Sequence, residues 1–473
     1  MDMETATPQA ASPRYSQQLH RTIGVLGNIF ITLSGVTPAA SVFIIAPAAL
    51  FAVGSGTFLA FVFAGIVGVL MALCWAELSS AFPIAGGDYS MVWHSFKGPR
   101  AEKLAGPVSF ITFALYLDFI AFIPATIALG AGTYLGVVVT VNAKVLGAII
   151  ILVTAGVAVF QIKFNAWLTG LFLAIELIAL LTLTVLGLSH AKHWGSLVHP
   201  AVGTSHGLLA PVAFGSVMAF TAVAIFSYNG YASAVNFSEE TTGGSRSIAK
   251  AILWSLAITV IAELVPLTAV IIGAPSLSKL TTSPIPLQYF IEATSDKGVY
   301  TVLSLGIVLA IFNATLAIIL SYGRILFSGA RDKAFPGPVG TTLAHINPRF
   351  KSPWVATMLI GVLGAVMCLT ISLDTLINLT GASLVADYAL IAIAALVGRA
   401  TGATKGSTYR MRWWPVPPLL ALAALGYVFA QQTRLLLTVT LITMAIGLVY
   451  WAVVIYPQKG KAWQLLHPAE HGE

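Results

Sequence analysis

Four carboxyl groups stand inside long apolar stretches of this chain: Asp118, Glu176, Glu263 and Asp387. A charge at the middle of a bilayer costs about 2.5–3.5 kcal/mol even on the lenient insertion scales. An acid in such a place must therefore be protonated, hydrogen-bonded to polar helix groups, or facing water, substrate or an ion. No Lys or Arg shares their depth, because every basic residue falls in a loop or near the end of an apolar stretch. A buried carboxyl that can hold a proton is a proton carrier. Glu176 and Asp118 are the deepest and are the candidate proton- or ion-coupling residues, with Asp387 and Glu263 ranked after them. The alternative for each is a protonated carboxyl bonded to a neighbouring helix.

Two of the apolar stretches also carry interruptions. Ser34-Gly35-Val36-Thr37-Pro38-Ala39-Ala40-Ser41 sets Gly, Pro and hydroxyl residues in the middle of the first, where Pro38 lacks a donor and collides with the preceding turn. Phe226-Ser227-Tyr228-Asn229-Gly230-Tyr231-Ala232-Ser233 does the same in the sixth, with aromatic residues on either side. An unwound segment exposes N–H and C=O groups that lipid cannot satisfy, so it persists only where it lines a cavity. Half-helix N-termini in such a cavity suit a carboxylate, and half-helix C-termini suit an ammonium or a cation. Thr37, Pro38, Ala39, Ala40, Ser41, Phe226, Tyr228, Asn229, Gly230 and Tyr231 are accordingly the candidate substrate-binding residues. A single such segment could equally be a kink packed on a neighbour. Two, at the first and sixth positions of the series, point to a shared site.

Soluble-enzyme chemistry is not visible. In Gly402-Ala403-Thr404-Lys405-Gly406-Ser407-Thr408 the Lys precedes the last Gly, so the phosphate-loop spacing fails and a polar loop is expected. Gly130-Ala131-Gly132-Thr133-Tyr134-Leu135-Gly136 has the wrong spacing for a dinucleotide fingerprint and lies in an apolar stretch, where small residues serve close helix packing. His190, His193, His199 and His206 share one segment with nothing to fix their mutual geometry, which reads as a solvated loop. Cys74 and Cys368 both fall in apolar stretches and indicate neither a disulfide framework nor a zinc site. No catalytic residue, metal site or cofactor is expected.

The elements that must position these groups follow from composition. The 473 residues are 58% hydrophobic and 9% charged, with a mean hydropathy of +0.90. Those values fit a chain whose solvent is mostly lipid. Twelve apolar segments fall near 22–52, 56–82, 105–137, 144–161, 165–189, 208–237, 248–273, 299–330, 353–371, 375–398, 414–430 and 434–456. Each can cross a hydrocarbon core of about 30 Å as a helix, and their continuous apolarity excludes the alternating pattern of a barrel. The expected fold is an all-α polytopic membrane protein with about twelve transmembrane helices, the first and sixth discontinuous. Residues 1–21 and 457–473 read as tails around a single membrane domain spanning 22–456. The first twenty residues lack a basic and then apolar leader, so no cleaved signal is expected.

Charge placement sets the orientation. With the N-terminus inside, nineteen basic residues fall in inward loops, and only Lys144, Lys192, Lys279, Lys297 and Arg434 fall outward. This asymmetry puts both termini in the cytoplasm, with the plasma (inner) membrane as the expected location. It also assigns the net charge of +7 to topology and anionic lipid, with no nucleic-acid partner.

Three stretches resemble the APC (amino acid, polyamine and organocation) transporters. Ala76-Glu77-Leu78-Ser79-Ser80-Ala81-Phe82-Pro83-Ile84-Ala85-Gly86-Gly87-Asp88-Tyr89 is similar to that family's signature at the end of helix two, AELxxxxPxxGGxY. Phe226 to Ala234, followed by Glu239-Glu240-Thr241 and Arg246, resembles its broken sixth helix. Ser321-Tyr322-Gly323-Arg324 through Ala330-Arg331-Asp332-Lys333-Ala334-Phe335-Pro336 resembles its helix-eight end. The resemblance implies an inverted repeat, here about 22–189 and 208–398, followed by two helices over about 414–456. It places a substrate site between helices 1, 3, 6, 8 and 10.

The departures bear on mechanism. Pro38-Ala39-Ala40-Ser41 stands where many members have a Gly-rich triplet, and Gly243-Gly244 replaces the usual Asn-Pro. Glu176 occupies the helix-five position where several members carry a lysine, and Ala232 stands where certain exchangers of cationic substrates are acidic. The resemblance implies a permease that moves a small amino acid, polyamine or related amine by alternating access, and the buried carboxyls Glu176 and Asp118 make H+ the expected coupling ion. An exchanger of the same fold and a non-transporting nutrient sensor are the alternatives. The carboxyls favour cationic substrates, while Ala232 and the apolar surroundings favour neutral ones. No oligomeric state is implied.

Overall fold

The computed structural model describes residues 23–84, 86–98, 100–139, 141–160, 162–204, 206–350, 352–458, 461–463 and 465. The tail at 1–21 and most of that at 457–473 lie outside the described residues. The chain is helical nearly throughout. Helix α1 (Val25–Val36) is followed by α2 (Pro38–Ala40), a π-helical turn over Ser41–Ile45, and α3 (Ala46–Val53). Then come α4 (Thr57–Ala81), α5 (Asp88–Phe96), α6 (Glu102–Val139), α7 (Ala143–Ala158) and α8 (Ile162–Ser189). The second half holds α9 (Phe214–Tyr228), a 3-10 segment over Tyr231–Glu240, α10 (Ser245–Gly273), α11 (Leu277–Thr282), α12 (Pro286–Thr294) and α13 (Lys297–Arg331). It ends with α14 (Gly337–Leu343), α15 (Trp354–Thr370), α16 (Leu373–Thr401), α17 (Val416–Ala430) and α18 (Arg434–Tyr450).

Among the described residues, seven helical stretches are long and apolar enough to cross a membrane, and α7, α15 and α17 are shorter apolar helices. Their outer faces are themselves apolar. Leu419 and Leu420 on α17 and Leu435, Leu441 and Ile446 on α18 are at least half exposed, a surface that suits lipid and not water. Polar side chains instead point inward, as Asn28, Glu77, Glu176, Glu263, Asn313 and Asp387 are all buried.

Small residues allow the helices to meet closely. A Cβ on Gly132 of α6 would collide with the carbonyl of Ala143 at the start of α7, so the Gly-rich run there serves helix packing. The segments between apolar helices hold the remaining structure. A two-stranded antiparallel hairpin pairs β1 (Ala201–Gly203) with β2 (Leu209–Pro211), β2 occupying the start of the sixth apolar segment, and α9 begins only at Phe214. Helices α11 and α12 fill 274–298. In the histidine-bearing segment, His190 Nδ1 lies 2.9 Å from Leu186 O and His193 Nε2 lies 3.0 Å from Ala274 O.

One end of the bundle is closed by polar ties. Glu77, near the end of α4, pairs with Arg399 of α16 at 3.0 Å and accepts from Met411 N at 2.9 Å and Thr404 Oγ1 at 3.2 Å. The Gly402–Thr408 loop is thereby folded onto α4. Beside it, Tyr89 Oη donates to Asp332 Oδ2 at 2.8 Å, joining α5 to the end of α13.

Candidate substrate site

Both interruptions read from the sequence are breaks in the helices. Helix α1 stops where Thr37 enters the left-handed region at φ 54°, a conformation that costs a residue with a Cβ of order 1–3 kcal/mol. Thr37 N still donates to Leu33 O at 2.8 Å, and Thr37 Oγ1 donates to Val36 O at 2.7 Å. Pro38 then opens α2, where its missing donor is no loss. Helix α9 stops at Tyr228. Asn229 is extended and Gly230 has φ 114°, after which the chain resumes as a 3-10 helix.

The two breaks touch. A Cβ on Gly230 would lie 3.2 Å from Val36 Cα, so only glycine meets both the φ and the space there. Ser41 Oγ donates to Ser227 O at 2.7 Å, and Ser227 Oγ donates to Glu263 Oε2 at 2.6 Å. One hydrogen-bonded chain thus links the first break, the sixth-segment break and α10. Farther along, Asn28 Nδ2 donates to Ala234 O at 3.1 Å and to Thr241 Oγ1 at 2.9 Å.

Between the breaks lies a partly enclosed cavity of about 60 Å³, room for a few water molecules. Of the sequence-derived candidates, Thr37, Ser41, Phe226, Asn229 and Gly230 line it. Pro38, Ala39, Ala40, Tyr228 and Tyr231 do not. The Tyr228 ring packs edge-on against Phe61 at 5.4 Å, and Tyr231 packs against Trp75 at 5.6 Å. The rest of the wall divides by chemistry. Ile45, Phe119, Ile123, Ile127 and Ile318 form an apolar side. Trp75, Asp88, Tyr116, Asn236, Tyr322 and Asp387 form a polar one.

Asp88 and Asp387 stand in hydrogen-bond contact with each other. Trp75 Nε1 donates to Asp88 Oδ1 at 2.8 Å, and the Tyr116 side chain also bonds to Asp88. Among the described residues, Asp387 Oδ1 and Asn236 Oδ1 have no hydrogen-bond partner. Asn229 Oδ1 accepts from Tyr388 Oη at 3.2 Å, connecting the sixth-segment break to the residue after Asp387.

The two sequence-derived coupling candidates lie outside this cavity. Glu176 is fully buried beside the first break, where Asn313 Nδ2 donates to its Oε1 at 3.0 Å and the Ala39 backbone reaches the same carboxyl. Asp118 is partly buried between α16 and α18, with Ser383 Oγ at 3.4 Å and the Thr443 side chain nearby. Asp88 is absent from the sequence-derived site because it follows the fourth helix in a Gly-rich stretch that reads as a loop end. Gly87, at φ 65°, turns the chain back so that Asp88 opens α5 against the cavity. The signal available was an acid inside the Gly86-Gly87-Asp88-Tyr89 run.

Comparison with known proteins follows the same lines. A family model described as amino acid permease matches residues 23–458. A methylthioribose transporter of Bacillus subtilis is 24% identical over 437 residues, covering 89% of each chain. A branched-chain amino acid permease of the same organism is 20% identical over 446 residues, 90% of this chain and 92% of the relative. Cationic amino acid transporter 4 of Homo sapiens is 25% identical over 361 residues, 73% of this chain and 54% of the relative.

Proposed function

The chain belongs to the amino acid permease family, and on that premise we propose that this multi-pass membrane protein is a secondary active permease for a small amino acid or related amine. The observation that carries the reading is the meeting of two broken helices, α1 and α9, at one buried cavity. The left-handed turn at Thr37 and the extended link at Asn229 and Gly230 bring helix ends to the cavity, and such ends suit the carboxylate and ammonium of an amino acid. In this reading the two breaks part and close by alternating access, with the Ser41–Ser227 contact between them.

In this reading the chain crosses the membrane twelve times, as two inverted five-helix repeats followed by α17 and α18. Both termini face the cytoplasm, and the protein resides in the plasma membrane. Transport is coupled to H+, with Glu176 as the carrier: it is fully buried, touches the first break and has no basic partner among the described ion pairs. Relatives named for amino acids and for methylthioribose support a small organic substrate.

The test is uptake by purified protein in liposomes. An inward H+ gradient should accumulate at least one labelled amino acid above its external concentration, and collapsing the gradient should abolish that accumulation. Uptake that never exceeds equilibration in any gradient removes secondary active transport from the reading.

A further inference from the structure

We infer that Asp88, Asp387 and Asn236 form a subsite for a second positive charge on the substrate, the side-chain ammonium or guanidinium of a diamino acid. The inference rests on the reading of the cavity as the substrate site and assigns that site's chemical preference.

Three features of the cavity support it. Its polar wall holds two carboxyls, and among the described residues no Lys, Arg or His lines it. Apart from the contact between the two carboxyls, the wall donors that reach the pair go to Asp88. Trp75 Nε1 and Tyr116 serve Asp88, while among the described residues Asp387 Oδ1 and Asn236 Oδ1 have no donor. Asp387 is 1% exposed and Asn236 is 4% exposed. A buried acceptor without a donor is costly, and a ligand ammonium carries three N–H groups and no acceptor. The unmatched atoms of the wall and the unmatched atoms of the proposed ligand are thus of opposite kinds.

Charge gives the same answer. Two adjoining carboxyls, with no basic side chain on the cavity wall among the described residues, suit a ligand that brings a positive charge of its own. Asn236 is a separate element's contribution: it lies in the 3-10 segment after the sixth-segment break, and with its Nδ2 on Ser321 Oγ at 3.0 Å its oxygen is left for the ligand. The subsite also adjoins the break itself, since Asn229 holds Tyr388 next to Asp387. A substrate could place its α-amino and carboxylate groups at the helix breaks and its distal cation at the carboxyls, with its aliphatic stem along Phe119, Ile123 and Ile318.

The experiment compares lysine with norleucine, which has the same stem and lacks the distal amine, by thermal stabilisation of the full-length protein in detergent or nanodiscs. In the wild type, lysine should reach half-maximal stabilisation at a concentration at least about tenfold lower than norleucine, equivalent to roughly 1.4 kcal/mol. In Asp387→Asn that ratio should collapse towards one, and Asn236→Leu should reduce it. If either variant does not fold, the wild-type comparison decides alone. Norleucine binding as well as or better than lysine overturns the cation subsite while leaving an amino acid site intact. Stabilisation by neither, nor by any amino acid of a wider panel, overturns the site reading itself. A preference for lysine that survives unchanged in Asp387→Asn overturns the assignment to this pair. Stabilisation by sodium chloride over choline chloride without amino acid, lost in Asp387→Asn, overturns the organic cation in favour of a metal ion.

Discussion

Ser41 Oγ donates to the backbone carbonyl of Ser227 at 2.7 Å, so the segment after the first helix break is tied to the last turn before the second. That carbonyl is among those a helix C-terminus leaves without an intrahelical partner, and here a side chain 186 positions away satisfies it. The bond is therefore both a cap and a clasp. If the breaks must part for substrate to enter, the clasp opposes opening. Ser41→Ala should lower the thermal stability of the substrate-free protein and shift it towards open conformations, seen as faster labelling of a cysteine introduced at cavity-lining Ser233. Slower labelling would show that the bond does not restrain opening.

The contact between Gly230 and Val36 yields a sharper expectation. Gly230→Ala adds a Cβ 3.2 Å from Val36 Cα at a residue whose φ is 114°. Left-handed strain of this kind costs about 1–3 kcal/mol, and the steric conflict adds to it. Transport should be lost, with a lower melting temperature. Gly426→Ala, where a Cβ meets nothing within 4 Å, is the control and should leave both measurements alone. Equal behaviour of the two variants would show that the Gly230–Val36 approach carries no constraint.

Glu176 and Asp118 can be separated by one measurement. Glu176→Gln keeps the shape and the Asn313 contact of a fully buried side chain while removing the titrating proton. Acid-stimulated uptake should disappear, and substrate binding should remain measurable. Asp118→Asn, at a partly buried position off the cavity between α16 and α18, should retain the pH response. The reverse pattern would move the coupling role to Asp118.

How much of this site the sequence discloses depends on the residue. Pro38 and Gly230 are legible because a broken helix in lipid needs residues of that kind, and both breaks fall where the run of small and polar residues indicates. Glu176 and Asp387 are legible as acids at depth. Their relative importance is not, because depth along a helix says nothing about which way the side chain faces. Asp387 faces the cavity and Glu176 faces Asn313 behind it. Asp88 is hidden for a different reason: only the turn at Gly87 brings a loop-end residue back beside a helix far away in sequence. The hairpin at 201–211 is masked in the same way, since the apolar run that contains β2 continues without interruption into α9.

The tie between Glu77 and Arg399 closes the end of the bundle below the carboxyl pair, and its energetics can be tested independently of transport. Glu77 is 1% exposed and its carboxylate is saturated by Arg399, Met411 N and Thr404. Arg399, with a side chain 17% exposed, keeps some water. Removing one member of a buried pair costs about 3–5 kcal/mol because the other charge is left uncompensated, and the partial exposure of Arg399 puts Glu77→Ala at or below the lower end of that range. Arg399→Met should cost more, since it strands the better-buried carboxylate. In the double variant no charge is stranded, so its loss should be smaller than the two single losses combined. Thermal unfolding of the four proteins closes the cycle. Additive losses would mean that Glu77 stabilises the 402–411 loop through Met411 N and Thr404 alone, and that the ion pair contributes nothing of its own.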